Sequence, residues 1–220
     1  MSAAATVRAL LPSQVATAVL DPRTPQPALM EVEQRATARM VPQRRREFAA
    51  GRAAARQAMA GIGITGQPVP AGPDRAPCWP RGATGSIAHC ADCCVAIAGA
   101  STQWRMLGVD IEPDIALPPD LIDTICGEAE LRWLAAQPAS ARGRLARAIF
   151  SAKECAYKAQ YPLTGRLLGF EDVRVTLDPA AGRFAAAFAT AVDPFAADDT
   201  LQGGLAMAGG HILTALALPR

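Results

Sequence analysis

Apolar positions along this chain switch between helical and extended spacing, and the switches mark its elements. An irregular start, punctuated by Pro12, Pro22, Pro25 and Pro27, holds one short apolar run, Val15 to Leu20, that reads as a strand closed by an Asp21-Pro22 turn. Leu29, Val32, Ala36 and Met40 fall in helical phase, so Pro27 to about Met40 reads as a helix. Pro42 interrupts it. A second helix then runs from Gln43 to Gly61, burying Phe48, Ala55 and Met59. Residues 63–84 are rich in Gly and Pro and read as loop. Gly85 to His89 leads into a buried strand, Cys93 to Ala98, and Trp104 to Ile111 is another. Pro118-Pro119-Asp120 opens a helix to about Cys126, and Glu128 to Gln137 forms a further one. Arg142 to about Gln160 is a long helix with Leu145, Ile149, Ala152, Ala156 and Ala159 on its apolar side, ended by Pro162. Four strands complete the chain: Val173 to Leu177, Gly182 to Ala189, Gly203 to Met207 and His211 to Leu218.

The order of helices and strands occurs roughly twice. This predicts an α+β fold of two similar halves, residues 1–104 and 105–220, joined near Ser101 to Arg105 with a site between them. No literal repeat accompanies the split. With 220 residues, half of them hydrophobic, the chain is long enough for a substantial core. A net charge of +2 argues against a nucleic-acid coat or a membrane-surface protein. No apolar run reaches the length of a membrane span, and the Ala-rich first residues, broken by Pro12 and Ser13, do not read as a signal peptide. The six cysteines form no regular framework, which points to reduced thiols in a cytoplasmic enzyme.

Two acid-bearing segments carry the chemistry. In Gly108-Val109-Asp110-Ile111-Glu112-Pro113 the two carboxylates stand two residues apart, on one side of an extended chain. In Phe150-Ser151-Ala152-Lys153-Glu154-Cys155-Ala156-Tyr157-Lys158, Glu154 and Lys158 share a helix face. A solvated strand end and an ordinary ion pair, contributing about 0.3 kcal/mol, would explain each alone. Together they offer oxygen ligands for Mg²⁺, which takes one or two carboxylates, water and substrate phosphates. Arg44, Arg52 and Arg56 fall broadly on one side of the second helix, where guanidinium forks could hold phosphates. Gly85, Ser86 and His89 offer small residues and an imidazole where a phosphate could approach the backbone. The string His89-Cys90-Ala91-Asp92-Cys93-Cys94 resembles zinc ligation. Its candidates are crowded into six positions, whereas a structural site draws ligand pairs from separate places, so buried free thiols are the expectation. A second reading makes the chain a non-catalytic module binding nucleic acid or another anion through the Arg44–Arg56 helix. Only Phe48 and Trp79 lie near that helix for base stacking, and a phosphate-backbone binder has no use for three acids.

From Gln43 to Leu218 the chain resembles the 4′-phosphopantetheinyl transferases of the Sfp/EntD type. The resemblance is carried by Arg44-Arg45-Arg46-Glu47-Phe48 with Gly51-Arg52-Ala53-Ala54-Ala55-Arg56, by Arg75-Ala76-Pro77-Cys78-Trp79-Pro80 and by Gly85-Ser86-Ile87-Ala88-His89. The two acidic segments and Leu168-Gly169-Phe170-Glu171-Asp172 complete it. Each motif alone is weak; their joint order is specific. Members associated with siderophore and polyketide synthesis share the Arg-Ala-Pro-x-Trp-Pro piece. The resemblance implies a monomer with two halves in pseudo-twofold arrangement. It implies coenzyme A as substrate and a serine of an apo carrier protein, from fatty-acid, polyketide or peptide synthesis, as acceptor, with no nucleic-acid or membrane partner. By the resemblance, Asp110, Glu112 and Glu154, with the Ile111 carbonyl, hold Mg²⁺, for which Mn²⁺ can substitute. Arg44, Arg52, His89 and Lys153 meet the 3′-phosphate and diphosphate of coenzyme A, with Ser86 and Ala88 beside them. Gly72 to Arg75 covers the adenine, where some relatives carry lysine in place of Ala71. Asp110, Glu154 and Lys158 form the catalytic group, Glu154 taking the serine proton and Lys158 facing the transferring phosphoryl group. An exposed stretch near Glu128 to Arg144, with Leu131, Trp133 and Leu134 and the nearby Arg132, Arg142, Arg144 and Arg147, is the expected docking face for an acidic carrier, with ordinary core packing as the alternative.

Overall fold

The computed structural model describes residues 1–220. Helix α1 (Ala3–Ala9) is capped by Ser2 and followed by strand β1 (Ala16–Leu20). A single turn of helix, α2 (Glu31–Gln34), runs into a 3₁₀ turn, Arg35–Thr37. Helix α3 (Pro42–Ala60) precedes strands β2 (Ala83–His89), β3 (Cys94–Ala100) and β4 (Trp104–Pro113). Helices α4 (Pro119–Ile125), α5 (Glu128–Ala135) and α6 (Ala139–Thr164) come next. Strands β5 (Val173–Asp178), β6 (Arg183–Phe188), β7 (Thr200–Ala208) and β8 (His211–Pro219) end the chain.

The strands form two antiparallel sheets, one of three strands in the order β1-β3-β2 and one of five in the order β4-β8-β7-β6-β5. Helix α3 lies on the small sheet, burying Ala54, Ala55, Ala58 and Met59 against Ala96 and Ala98. Helix α6, about 39 Å long at 1.5 Å per residue, lies on the large one. Its Ile149, Ala152, Ala156 and Ala159 are buried with Ile212, Leu216 and Phe184. A third core joins the two sheets, with Ile97 and Val95 on one side and Leu107, Val109 and Leu213 on the other.

Two close approaches set the position of the acidic strand. At Gly108 an added Cβ would stand 2.4 Å from the Cys155 carbonyl and 2.9 Å from the Ala159 Cβ, so only glycine lets β4 touch α6. Across β4 from the helix side, the Val109 N–H donates to Ser86 Oγ at 3.2 Å and ties β4 to β2. The Thr214 hydroxyl of β8 lies 2.8 Å from the Ser151 hydroxyl and donates to the Ser151 carbonyl at 3.0 Å, which fixes α6 along the sheet.

Three expectations need correction. The first residues are not irregular: α1 buries Val7 and packs on β1 and β8, so the start of the chain touches the second sheet. The helix expected from Pro27 to Met40 is one short turn plus a 3₁₀ turn. There the fully buried Glu33 draws the chain inward by accepting from Val69 N at 3.0 Å and from Arg56 at 2.5 Å. Pro162 does not end α6. It sits in the last turn, and the helix stops at Gly165, whose φ of 63° is left-handed.

Candidate active site

A cleft of about 1300 Å³ opens between the sheets. One wall is β4 and α6, bearing Asp110, Glu112, Glu154 and Lys158; the other is α3, the 70–77 loop and the end of β2, bearing Arg44, Arg52, Gly72, Arg75, Ser86, Ala88 and His89. Strand alternation brings Asp110 and Glu112 to one side of β4, and the fully buried Ile111 between them points into the core, leaving its carbonyl as its only group for the cleft.

Asp110 is the electrostatic centre of the acid wall. Its Oδ1 accepts from Lys158 Nζ at 2.6 Å, while Oδ2 is buried with no partner. Glu112 accepts from Arg147 Nη1 at 2.8 Å. Burial raises the pKa of Glu112, and the neighbouring Asp110 raises it further against the pull of Arg147. Burial also raises Glu154, with Lys158 opposing and Asp110 reinforcing the shift. Burial alone would lower Lys158, but Asp110 and Glu154 outweigh it and the ammonium is held above its ordinary value. Glu154 and Lys158 stand 4.0 Å apart, one helical turn from each other.

The basic wall is more intricately paired than the arginine spacing implied. Arg52 is buried over the Phe48 ring, 4.2 Å from its centroid, and burial lowers its pKa to about 10, so it stays charged near neutrality. Its Nε has no partner. Arg44 Nη1 touches His89 Nε2, and Glu47 Oε2 lies 3.6 Å from the other ring nitrogen. A guanidinium facing Nε2 needs a lone pair there, which assigns the proton to Nδ1. Burial first, and Arg44 second, accordingly lower the His89 pKa. Gly72 and Arg75 belong to a small turn closed by Gly72 N donating to the Ala76 carbonyl at 2.8 Å, with Arg75 left-handed at φ 70°. Tyr161 of α6 donates to Asp74 at 2.8 Å and fastens this turn across the cleft.

One sequence expectation fails here. Lys153 does not reach the cleft. It is buried in the opposite direction, 2.8 Å from Glu130, and donates to the Ile125 and Phe170 carbonyls at 2.8 and 2.7 Å. A step of one residue turns a helix by about 100°, so Lys153 cannot share the face of Glu154 and Lys158. The expected docking face is only partly paired within the protein: Arg144 meets Asp114, Arg147 meets Glu112 and Arg142 donates to the Ala135 and Gln137 carbonyls, while Arg132, Arg142 and Arg144 stay exposed. Trp133 and Leu131 are half-buried against the core, and Leu134 is within it. Arg56, paired with the buried Glu33, likewise leaves no continuous basic face on α3. The sequence reading gave no role in the cleft to Glu47, Tyr161, Arg35 or Arg39, and assigned Arg147 to a docking face rather than to Glu112. Only Glu47 carried a local signal, three residues after Arg44.

The donor set fits a hard divalent cation. Asp110, Glu112 and Glu154 share one wall of the cleft, and an unpartnered buried oxygen on Asp110 is the kind of group such an ion would satisfy. The acids are not drawn into a closed cage; the one group of metal-capable side chains with all ligand atoms within 4.8 Å is Cys90, Asp92 and His211, outside the cleft. An ion among the acids would therefore take one or two carboxylates and complete its shell with water and substrate oxygens.

Acids facing guanidinium groups across a deep cleft are the equipment of a group-transfer enzyme. Residues 32–99 match the family model of the 4′-phosphopantetheinyl transferase N-terminal domain, and residues 106–208 match that of the 4′-phosphopantetheinyl transferase superfamily. The 4′-phosphopantetheinyl transferase Svp of Streptomyces mobaraensis is 38% identical over 184 residues, 82% of this chain and 75% of that protein. The 4′-phosphopantetheinyl transferase PptT of Mycobacterium tuberculosis is 36% identical over 188 residues, 82% of each chain. The 4′-phosphopantetheinyl transferase Npt of Nocardia iowensis is 37% identical over 146 residues, 66% of this chain and 65%, just under two thirds, of that protein. The chain belongs to the 4′-phosphopantetheinyl transferase superfamily and is an enzyme of that class.

Proposed function

We propose that this enzyme transfers the 4′-phosphopantetheine group of coenzyme A to a serine hydroxyl of an apo carrier protein, releasing adenosine 3′,5′-bisphosphate. The observation that carries the reading is the pairing of walls: Asp110, Glu112, Glu154 and Lys158 face Arg44, Arg52 and His89 across one elongated cleft. At about 1300 Å³ the cleft exceeds the usual range for compact small molecules, in keeping with a long nucleotide-bearing thiol.

In this reaction the serine oxygen forms a bond to the phosphorus nearer the pantetheine, and the bond from that phosphorus to the bridging oxygen breaks. Mg²⁺, held by Asp110, Glu112 and Glu154, would supply charge neutralisation at the diphosphate. Glu154 takes the serine proton; burial raises its pKa in the metal-free cleft. Lys158 faces the leaving phosphate, its ammonium aimed by Asp110. Arg52, rigid over Phe48, and Arg44 hold phosphate oxygens. His89 is neutral in the free cleft and gains a proton when an anion replaces the guanidinium as its neighbour. The 72–75 turn covers the base, with Arg75 as its only cation in that stretch. Residues 1–104 and 105–220 act as two halves around the cleft in pseudo-twofold arrangement, in a cytoplasmic monomer; each sheet falling within one half supports this.

The test is incubation with a fluorescent coenzyme A analogue, Mg²⁺ and apo carrier proteins from fatty-acid, polyketide and peptide synthesis. Covalent label on the carrier serine, lost with a Ser→Ala carrier, is the expected result. Tight binding of nucleic acid without any labelling would replace this reading with the binding-module one.

A further inference from the structure

Outside the cleft, the turn between β2 and β3 meets the start of β8. The turn is closed by Cys90 N donating to the Cys93 carbonyl at 2.8 Å, and it carries Cys90 and Asp92. His211, paired with Pro113 at the far end of β4, reaches the same point. Its Nε2 lies 3.0 Å from Asp92 Oδ1, and Cys90 Sγ lies 3.3 Å from the same oxygen. All three ligand atoms fall within 4.8 Å of one another. The six-position string around Cys90 lacked a ligand from elsewhere in the chain; the fold supplies it from 119 residues away.

We propose that Cys90, Asp92 and His211 form a Zn²⁺ site that fastens the β2–β3 turn to β8. The donor set is the argument's first part. A thiolate, an imidazole and a carboxylate suit a borderline-soft ion, and three protein ligands leave a fourth position for water. Hard Mg²⁺ has no use for the sulfur. Geometry is the second. Zinc bonds of about 2.3 Å to sulfur and about 2.0 Å to nitrogen and oxygen make tetrahedral edges of roughly 3.5 Å for S–O and 3.3 Å for N–O. The observed 3.3 and 3.0 Å need only a slight opening, and the sulfur–nitrogen edge, within 4.8 Å, would settle at about 3.5 Å. The third is convergence: one carboxylate oxygen receives both the thiol and the imidazole, so donors from two distant parts of the chain meet at one point. The Arg23 guanidinium is clasped by Asp21 at 2.7 Å rather than by Asp92. On binding, the Cys90 thiol proton passes to solvent as the Zn–S bond forms, and no electron moves.

The site would steady the cleft without joining its chemistry. Cys90 follows His89, which lines the cleft, and Pro113 follows Glu112. Clamping the turn to β8 therefore fixes the ends of the two strands that carry the imidazole and the acid pair.

The test uses the full chain, stripped of metal and titrated with Co²⁺ and Zn²⁺ in the presence of excess Mg²⁺. One equivalent of Co²⁺ should give a near-ultraviolet thiolate charge-transfer band, displaced by Zn²⁺, and Zn²⁺ should raise Tm. Cys90→Ser should abolish the band. His211→Gln and Asp92→Asn should weaken Zn²⁺ binding by more than the about 10–100-fold typical of outer-shell partners, while Mg²⁺-dependent transfer at saturating coenzyme A persists. Asp92 is on the surface, so its variant remains informative if either of the others fails to fold. Absence of a thiolate band in the wild type, or a band unchanged in Cys90→Ser, would overturn the proposal. So would Zn²⁺ affinity in both His211→Gln and Asp92→Asn equal to that of the wild type.

Discussion

Lys158 Nζ stands 2.6 Å from Oδ1 of Asp110, while Oδ2 of the same carboxylate is buried and unpartnered. One oxygen is therefore satisfied by a cation of the protein, and the other is held out of water with nothing to bind. Leaving such an acceptor unmade costs about 1–3 kcal/mol. The cost is sustained by neighbouring structure: Gly108 locks β4 to α6, and Ser86 locks it to β2.

Asp110→Asn removes the charge and keeps the shape. Mg²⁺-dependent carrier labelling should fall at least about 100-fold, and the rise in Tm that Mg²⁺ and coenzyme A give the wild type should disappear. The fold should survive, as judged by circular dichroism. Labelling within a few-fold of wild type would remove Asp110 from the reaction.

Glu154 predicts a pH profile. Its pKa in the folded protein is raised by burial, so the carboxylate form, the one that can accept a proton, is lost at a higher pH than for a solvated glutamate. As pH falls and the carboxylate is protonated, kcat should drop along an acid limb, which Mg²⁺ on Glu154 would hold at lower pH than in the metal-free protein. Glu154→Gln should lower kcat strongly, change coenzyme A affinity little and flatten the limb. The sign for stability is the reverse: a raised folded pKa contributes stability that is present at low pH and lost as pH rises through it. Divalent cation should therefore raise Tm more near neutrality than in acid. An equal shift at both would mean that the ion binds elsewhere.

How much of this was legible depends on the range of the interaction. Asp110 with Glu112, and Glu154 with Lys158, were readable because strand and helix periods decide which residues share a face. The boundaries of β4 and α3 were close for the same reason, with Pro42 marking where α3 begins. The same helical period argued against Lys153, but the contiguous motif concealed it. Pairings across long separations were beyond reach: Glu33 with Arg56 and Val69, Tyr161 with Asp74, His211 with Asp92. Nor does a seven-residue, alanine-rich α1 announce itself, since its place is set by tertiary burial of Val7.

Arg52 tests the basic wall. Stacked on Phe48 and nearly buried, it loses little freedom on meeting a phosphate, and its unpartnered Nε is available to a ligand-side rearrangement. Arg52→Lys keeps a charge but loses the planar fork. Coenzyme A affinity by calorimetry should weaken about tenfold, matching the loss of one charge-assisted hydrogen bond of about 1.5 kcal/mol. Arg52→Ala should weaken it further and make binding less dependent on salt. Unchanged affinity in both would exclude Arg52 from the ligand.

Lys153 separates what the motif implies from what the geometry does. Its side chain is 3% exposed, with the ammonium held by Glu130 and two carbonyls on the core side of α6. Glu130 in turn accepts from Val175 N and Gly127 N, each at 2.7 Å, so the pair joins α5, α6 and β5. Lys153→Met fills the stem's space but strands a buried carboxylate, a loss of about 3–5 kcal/mol, or roughly 6–20 °C in Tm for a chain of this size. Coenzyme A affinity, measured well below the lowered Tm, should stay within about twofold of wild type. A double variant, Lys153→Met with Glu130→Gln, should recover part of the stability, because the stranded charge is gone. The opposite pattern, normal Tm with affinity reduced tenfold or more, would return Lys153 to the cleft and require α6 to be rotated from the position described here.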